Sequence, residues 1–137
     1  MRRLPLFAAA LWWGSLTTLG FLVVPLLFVH LPTPAMAGGM AAKLFAAQTW
    51  VSVVCGMLLL MVFRSDKYPA LINTAQTAMI FVVGGMLLAL LVEFAVAPRI
   101  VAREYLKLWH AVGSGMYVLQ WLCAGVVLWH MTRPDDR

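Results

Sequence analysis

The chain has 137 residues, of which 64% are hydrophobic and 11% charged, and its formal net charge is +5. Soluble domains contain about 45–50% apolar and about 25% charged residues, and a chain of this length buries only about two-thirds of its surface on folding. This composition excludes a soluble globular protein and predicts an all-α protein that contacts the lipid bilayer. The lysines and arginines fall mostly between apolar runs, which indicates topology signals and argues against nucleic acid as a partner.

Four apolar segments are long enough to cross a bilayer as α-helices, since one crossing takes about 20 residues. The predicted helices cover residues 4–29, 41–63, 71–97 and 108–130. Because short links force neighbouring helices to run in opposite directions, the sequence predicts a single domain, 1–137, that forms an antiparallel four-helix bundle.

The connecting segments and the aromatic residues support this assignment. Leu31–Met40 contains two prolines and two glycines and is predicted to be a loop. Pro98–Lys107 is predicted to hold a short helix at the membrane surface. Aromatic residues near the helix ends predict interfacial belts, and they are Trp12, Trp13, Trp50, Tyr68, Tyr105, Trp109 and Trp129.

The distribution of basic residues predicts the orientation of the chain. With four spans, both termini lie on the same side of the membrane, and basic residues are enriched on the cytoplasmic side. The side with the termini has six of them and the other side has four, which predicts cytoplasmic termini. The six are Arg2, Arg3, Arg64, Lys67, Arg133 and Arg137, and the four are Lys43, Arg99, Arg103 and Lys107.

Small residues and prolines predict how the helices pack. Small residues spaced by four allow helices to approach closely in lipid, and they occur at Ala10, Gly14 and Thr18 and again at Gly85 and Ala89. Pro25 is predicted to distort the first helix. The segments ending in Pro25 and Pro98 both read F-x-V-x-P, which is either the trace of a duplicated helical hairpin or chance.

Glu93 is the clearest candidate for function, because an ionisable group inside a span costs several kcal/mol unless it is paired. It follows Gly85 and Ala89 on one helical stripe, so it is predicted to face the bundle interior. The alternative is a structural ion pair with Arg99 or Lys43.

A polar pocket is predicted around Glu93 on the periplasmic side. His110 begins the fourth helix, and Ser114 and Tyr117 follow on its face at helical spacing. Gln48 lies on a polar face of the second helix with Ser52 and Cys55. The predicted ligand-binding residues are Glu93, His110, Gln48, Ser114 and Tyr117.

His110, Glu93 and His30 are the predicted metal ligands, because imidazole and carboxylate together bind divalent transition metals. The simpler interpretation of His110 is a hydrogen-bonded histidine at the membrane surface. No motif of a hydrolase, zinc protease or nucleotide-binding enzyme occurs in the sequence, so no catalytic residue is predicted.

Several segments resemble a bacterial domain of unknown function that is similar to transmembrane protein 205. They are Leu11–Gly14, Phe21–Phe28, Leu31–Pro32, Ala37–Gly38, Ala97–Ile100 and Trp109–Ser114. The resemblance implies a four-helix inner-membrane protein and kinship with a superfamily that includes copper resistance protein D and a haem-dependent protoporphyrinogen oxidase. A serine often stands three residues after the histidine in that family, whereas here Gly113 occupies this position and Ser114 follows.

Three functions remain open from the sequence. The first is a non-enzymatic protein that binds or handles a metal ion or small solute at a periplasm-facing pocket. The second is a structural or assembly subunit, in a homo-oligomer or with a membrane partner. The third is a haem-bearing oxidoreductase, against which stands the lack of an evident histidine pair at matched depth.

Overall fold

A computed structural model describes residues 3–65 and 72–133, with the backbone alone at residues 72–75. Predictions that involve Arg2, Lys67, Tyr68, Leu71 or Arg137 lie outside the described residues. Within the described part the chain is helical and contains no strand, which confirms the predicted all-α fold.

Four helices are long and apolar enough to cross a membrane. Helix α1 is Arg3–His30, α2 is Pro34–Phe63 and α4 is Leu106–Thr132. Helix α3 begins with Ile72–Leu91 and continues to Val101, and its apolar span is Gln76–Val101. These four spans make the chain a multi-pass membrane protein.

Helix α2 begins seven residues before its predicted start at residue 41, so the predicted loop Leu31–Met40 is mostly helical. Thr33 has an extended backbone, and its hydroxyl accepts a hydrogen bond from Met36 N at 3.2 Å, while Pro34 occupies the first helical position. A threonine cap followed by proline is a strong start signal. It outweighs the two glycines that follow, and the link between α1 and α2 shrinks to Leu31–Thr33.

Each odd-numbered helix contains one π-helical turn immediately before a proline. The turns are Leu19–Val23 in α1 and Val92–Val96 in α3, ahead of Pro25 and Pro98. Proline lacks an N–H, so the helix loses a bond at this point, and it continues by shifting to i→i−5 pairing. Helix α3 continues in this way through Val101, so the helical part of the segment Pro98–Lys107, in which a short helix was predicted, is the exposed last turn of α3.

The link between α3 and α4 is therefore only four residues long. It contains Arg103 and Tyr105 in the left-handed region, at φ 56° and 41°. Both connectors, Leu31–Thr33 and Ala102–Tyr105, lie at one end of the bundle, which we call the connector end.

The helices form a bundle in which each packs against the neighbours before and after it, and α1 also packs against α4. The predicted belt residue Trp12 lies in the core, where it is completely buried, together with Leu16, Leu59 and Val82. Its side chain crosses the bundle to Gly85 on α3. The prediction of an interfacial Trp12 is thus wrong, because it is the tenth residue of α1 and lies inside the span.

Large apolar side chains cover the outside of the bundle, as contact with lipid requires. Trp50, Ile80 and Phe94 are each more than half exposed, as are Tyr105 and Trp129. Exposed Tyr105 and Trp129 lie at helix ends, consistent with the predicted belts.

Only one of the two predicted small-residue stripes packs inside the chain. Gly85 and Ala89 are buried, as predicted. Ala10 and Thr18 are exposed, and a side chain at Gly14 would meet nothing within 4 Å. Ala10, Gly14 and Thr18 line an open groove on α1, so in the described part of the chain this stripe faces outward.

Candidate functional site

Polar side chains connect the helices inside the bundle, beginning between α1 and α2. Gln48 is 7% exposed, and its Nε2 donates to Ser15 Oγ at 2.9 Å. Ser15 Oγ in turn donates to the Trp12 carbonyl at 2.9 Å. Since a hydroxyl has one proton, Ser15 accepts from the Gln48 amide nitrogen, which fixes the orientation of that amide.

A second, similar bond connects α2 and α4. Gln120 is 3% exposed, and its Nε2 donates to Ser52 Oγ at 2.9 Å. Ser52 donates its only hydroxyl proton to the backbone carbonyl of Gln48 at 3.0 Å. Ser52 Oγ must therefore accept from the Gln120 amide nitrogen, which fixes the orientation of that amide. In both glutamines Nε2 therefore donates a hydrogen bond to a neighbouring helix, and Oε1 remains available as an acceptor.

Two further bonds connect α4 to α1. Tyr117 donates its hydroxyl proton to the Leu16 carbonyl at 2.7 Å, close to where the π-helical turn of α1 begins. Gly20 makes room for this ring, because a Cβ there would lie 2.5 Å from Tyr117 Cε1. One turn further on, Trp121 Nε1 donates to Thr17 Oγ1 at 2.8 Å.

A small cavity lies between α2, α3 and α4. Its volume of about 10 Å³ is about what one water molecule requires. Four polar side chains face it together with three apolar residues. The lining residues are Phe45, Gln48, Thr49, Ala89, Val92, Tyr117 and Gln120.

The cavity is lined by two of the predicted site residues, Gln48 and Tyr117, and by two polar residues that were not predicted, Thr49 and Gln120. Thr49 and Gln120 are both buried. Gln120 stands between Leu119 and Trp121 in the middle of an apolar helix, and an unpaired amide there is costly. An amide in an apolar helix is therefore the feature of the sequence that indicates Gln120 as an interior residue.

Glu93 lies next to the cavity in sequence but is not part of its lining. It is half-buried and follows Val92, a lining residue, within the π-helical turn of α3. The guanidinium of Arg99, its proposed ion-pair partner, stacks on the Trp109 ring at 4.3 Å. Whether the Glu93 side chain serves a ligand therefore stays a prediction.

The other predicted residues lie outside the cavity. His110 and Ser114 are exposed on α4. His30 is exposed at the end of α1, with Nδ1 3.0 Å from the Leu26 carbonyl oxygen. Within residues 3–65 and 72–133, no three His, Cys, Asp or Glu side chains are grouped closely enough to hold a metal ion.

The π-helical turn frees a backbone carbonyl at Glu93, the residue that follows the cavity-lining Val92. Ala97 N–H bonds to the Val92 carbonyl, so it does not serve Glu93, four residues before it. The next donor position is Pro98, which has no N–H. The Glu93 carbonyl oxygen is thus left without a helical partner, as is the equivalent Gly20 carbonyl in α1, where Val24 bonds to Leu19.

Comparison with known proteins places the chain in a family. No curated protein and no solved structure matches it. The family model described as Domain of unknown function (DUF4149) matches residues 7–108, a stretch that includes α1, α2, α3 and the start of α4. The chain therefore belongs to the DUF4149 family.

Proposed function

We propose that this protein binds one small hard cation, such as Na⁺ or Mg²⁺, in the cavity between α2, α3 and α4. The observation that carries the proposal is a buried cavity with room for one water molecule or one monatomic ion, lined by side chains whose free lone pairs are on oxygen. Gln48 and Gln120 contribute amide oxygens, and Thr49 and Tyr117 contribute hydroxyls.

The available protons of both hydroxyls are already used, which favours a cation. Tyr117 donates to the Leu16 carbonyl and Thr49 donates to the Phe45 carbonyl at 3.1 Å. Their lone pairs remain, and amide, hydroxyl and carbonyl oxygens suit hard cations. Such oxygens are poor ligands for soft metals, so this cavity fits an alkali or alkaline-earth ion better than copper.

Glu93 supplies the negative charge in this proposal. The freed carbonyl of Glu93 is a further oxygen ligand at the same level of α3, as in transporters that bind ions at interrupted helices. Coulomb attraction is stronger in the low-dielectric interior than in water, so a carboxylate near the cavity strengthens cation binding. The proposal therefore requires the Glu93 side chain, which follows the lining residue Val92, to turn towards the cavity when the cation binds.

The substitution Glu93→Gln tests the proposal, because it keeps the shape of the side chain and removes its charge. In purified protein, NaCl or MgCl₂ should raise the unfolding temperature at constant ionic strength. We expect Glu93→Gln to weaken cation binding by at least about tenfold, which corresponds to 1.4 kcal/mol. Isothermal titration calorimetry and thermal unfolding measure this loss.

Glu104→Gln is the matched control, because Glu104 is an exposed carboxylate in the connector between α3 and α4. It should bind the cation as the parent protein does. An equal loss in both variants, or no stabilisation of the parent protein by any cation, contradicts the proposal and leaves a buried water as the occupant.

The transition-metal hypothesis for His110, Glu93 and His30, with Ser114 nearby, is a separate proposal. The resemblance to transmembrane protein 205 and copper resistance protein D supports it. Elemental analysis after loading with ZnCl₂ or CuCl₂ checks it, with His130→Ala at the opposite end of α4 as the control for His110→Ala. A Soret band in the absorption spectrum of the purified protein would instead support the hypothesis of a haem-bearing oxidoreductase.

A structural or assembly subunit is the second candidate function. The supporting observation is the groove on α1, where Ala10, Gly14 and Thr18 present a small-residue stripe to the lipid side. Such stripes let a further helix approach closely. If the protein binds no cation, this role becomes the better supported of the two.

We also propose that the protein lies in the inner membrane with both termini in the cytoplasm, so that the connector end faces the periplasm. The positive-inside rule supports this orientation. A fluorescent reporter fused after Arg137 should fold and emit in the cytoplasm, and a phosphatase fused at the same place should be inactive. An active phosphatase would contradict the orientation.

A further inference from the structure

The two odd-numbered helices repeat the same irregularity at the same spacing. The π-helical turn Leu19–Val23 recurs as Val92–Val96, and Pro25 recurs as Pro98. Each feature is displaced by 73 residues. Two F-x-V-x-P segments that agree in sequence thus also agree in an uncommon backbone conformation.

The buried positions of α1 and α3 follow the same displacement. Pro5, Ala8, Ala9, Trp12 and Leu16 are buried in α1. Adding 73 to their numbers gives Ala78, Phe81, Val82, Gly85 and Ala89, and all of these except Phe81 are buried in α3. The two helices therefore turn the same face to the core.

The even-numbered helices match at a displacement of 72 residues. Helix α2 begins at Pro34 and α4 at Leu106. The three buried residues of α4, Gln120, Ala124 and Val127, lie 72 positions after Gln48, Ser52 and Cys55, which are three of the eight buried residues of α2. The change from 73 to 72 falls between the helices of each pair, because α3 ends two residues earlier than α1 in this register and the connector after it is one residue longer.

Matched residues also touch each other across the bundle. Gly85 packs against the Trp12 ring, and a Cβ at Gly85 would lie 2.7 Å from Trp12 Cη2. Phe45 and Tyr117 pack edge to face, with ring centroids 5.2 Å apart, and Gln48 and Gln120 line the same cavity. Equivalent positions of two copies meet only beside a symmetry axis.

We infer that this chain is a tandem duplication of one helical hairpin, and that its two copies, α1–α2 and α3–α4, pack about a two-fold axis along the bundle. The cavity is lined by one glutamine of each copy and lies on the α3 side of the bundle. If the cation site of the proposed function is correct, Gln48 and Gln120 are equivalent ligands, one from each hairpin.

Exchanging core residues between equivalent positions tests the inference without any ligand. Leu16 and Ala89 are equivalent and buried. Leu16→Ala leaves a cavity and Ala89→Leu overfills the core, so each should lower the unfolding temperature by about 5 °C or more. The double variant keeps the total side-chain volume of the two equivalent positions. We expect its unfolding temperature to recover most of the summed loss of the two single variants.

The control pairs Ala89→Leu with Leu59→Ala, since Leu59 is equally buried but is not equivalent to Ala89. In this control pair the losses in unfolding temperature of the two single variants should add. If either exchange partner fails to fold, the milder variants Leu16→Val, Leu59→Val and Ala89→Val give the same comparison. Additive losses in the Leu16 and Ala89 pair would overturn the inference, whatever the outcome of the cation measurements.

Discussion

Replacing Trp12 by alanine is expected to destabilise the bundle by about 3–5 kcal/mol, the usual cost of removing a large buried aromatic side chain. Trp12 is 0% exposed and contacts the core around Leu16 and Leu59. In lipid this cost comes from lost packing and from the cavity left behind, because no apolar surface returns to water. Reversible unfolding in mixed micelles, titrated with denaturing detergent, measures it.

Trp50→Ala is the matched control, because Trp50 lies on α2 with 59% of its surface exposed. Its loss should cost well under half as much, since lipid replaces the missing contacts. Trp12→Phe should fall between the two. Trp12 Nε1 is buried without a hydrogen-bond partner among the described residues, so the phenylalanine variant loses volume but no hydrogen bond. Equal costs for Trp12→Ala and Trp50→Ala would contradict the assigned core.

The second large effect is expected at Gly85, where alanine should destabilise the bundle by about 1–3 kcal/mol, the range for overpacking a core. A methyl group there would lie 2.7 Å from Trp12 Cη2 and 2.8 Å from Cζ2. The ring is enclosed on all sides, so α1 and α3 must separate to admit the methyl group. The same detergent titration reports the change.

The neighbouring Gly84 provides the control for Gly85. A Cβ at Gly84 meets no atom within 4 Å, and alanine is favoured over glycine in a helix by about 1 kcal/mol. Gly84→Ala should therefore be neutral or stabilising. Effects of the same sign and size at the two positions would show that helix propensity, and not contact with Trp12, determines the result.

The membrane-spanning fold was predictable from the sequence because its causes are local. A span needs about 20 consecutive apolar residues, and each of the four segments contains this information in itself. The polar face of α2 was also predictable, since Gln48, Ser52 and Cys55 follow helical spacing and all are buried. The predicted start of α2 was wrong, because two prolines and two glycines favour a loop in Leu31–Met40, whereas the cap at Thr33 begins the helix at Pro34.

The hydrogen-bond partners of the polar residues depend on tertiary structure. Ser15 meets Gln48 across 33 residues, and Tyr117 meets Leu16 across 101. No local pattern encodes such pairs, because a helix in lipid has little amphipathic contrast between its core side and its lipid side. For the same reason the sequence alone did not show that Gly14 faces lipid and Gly85 faces Trp12.

The sequence by itself thus determined the membrane environment, the four helices and the identity of the polar groups inside them, through hydropathy and length. Only the tertiary structure decided which faces meet. It placed Gln120 and Gln48 around one cavity and left His110 and Ser114 exposed. It also showed that the distortion predicted at Pro25 is a π-helical turn and that a matching turn precedes Pro98. Packing and hydrogen bonding between distant segments select one rotation of each helix, and this selection created the cavity.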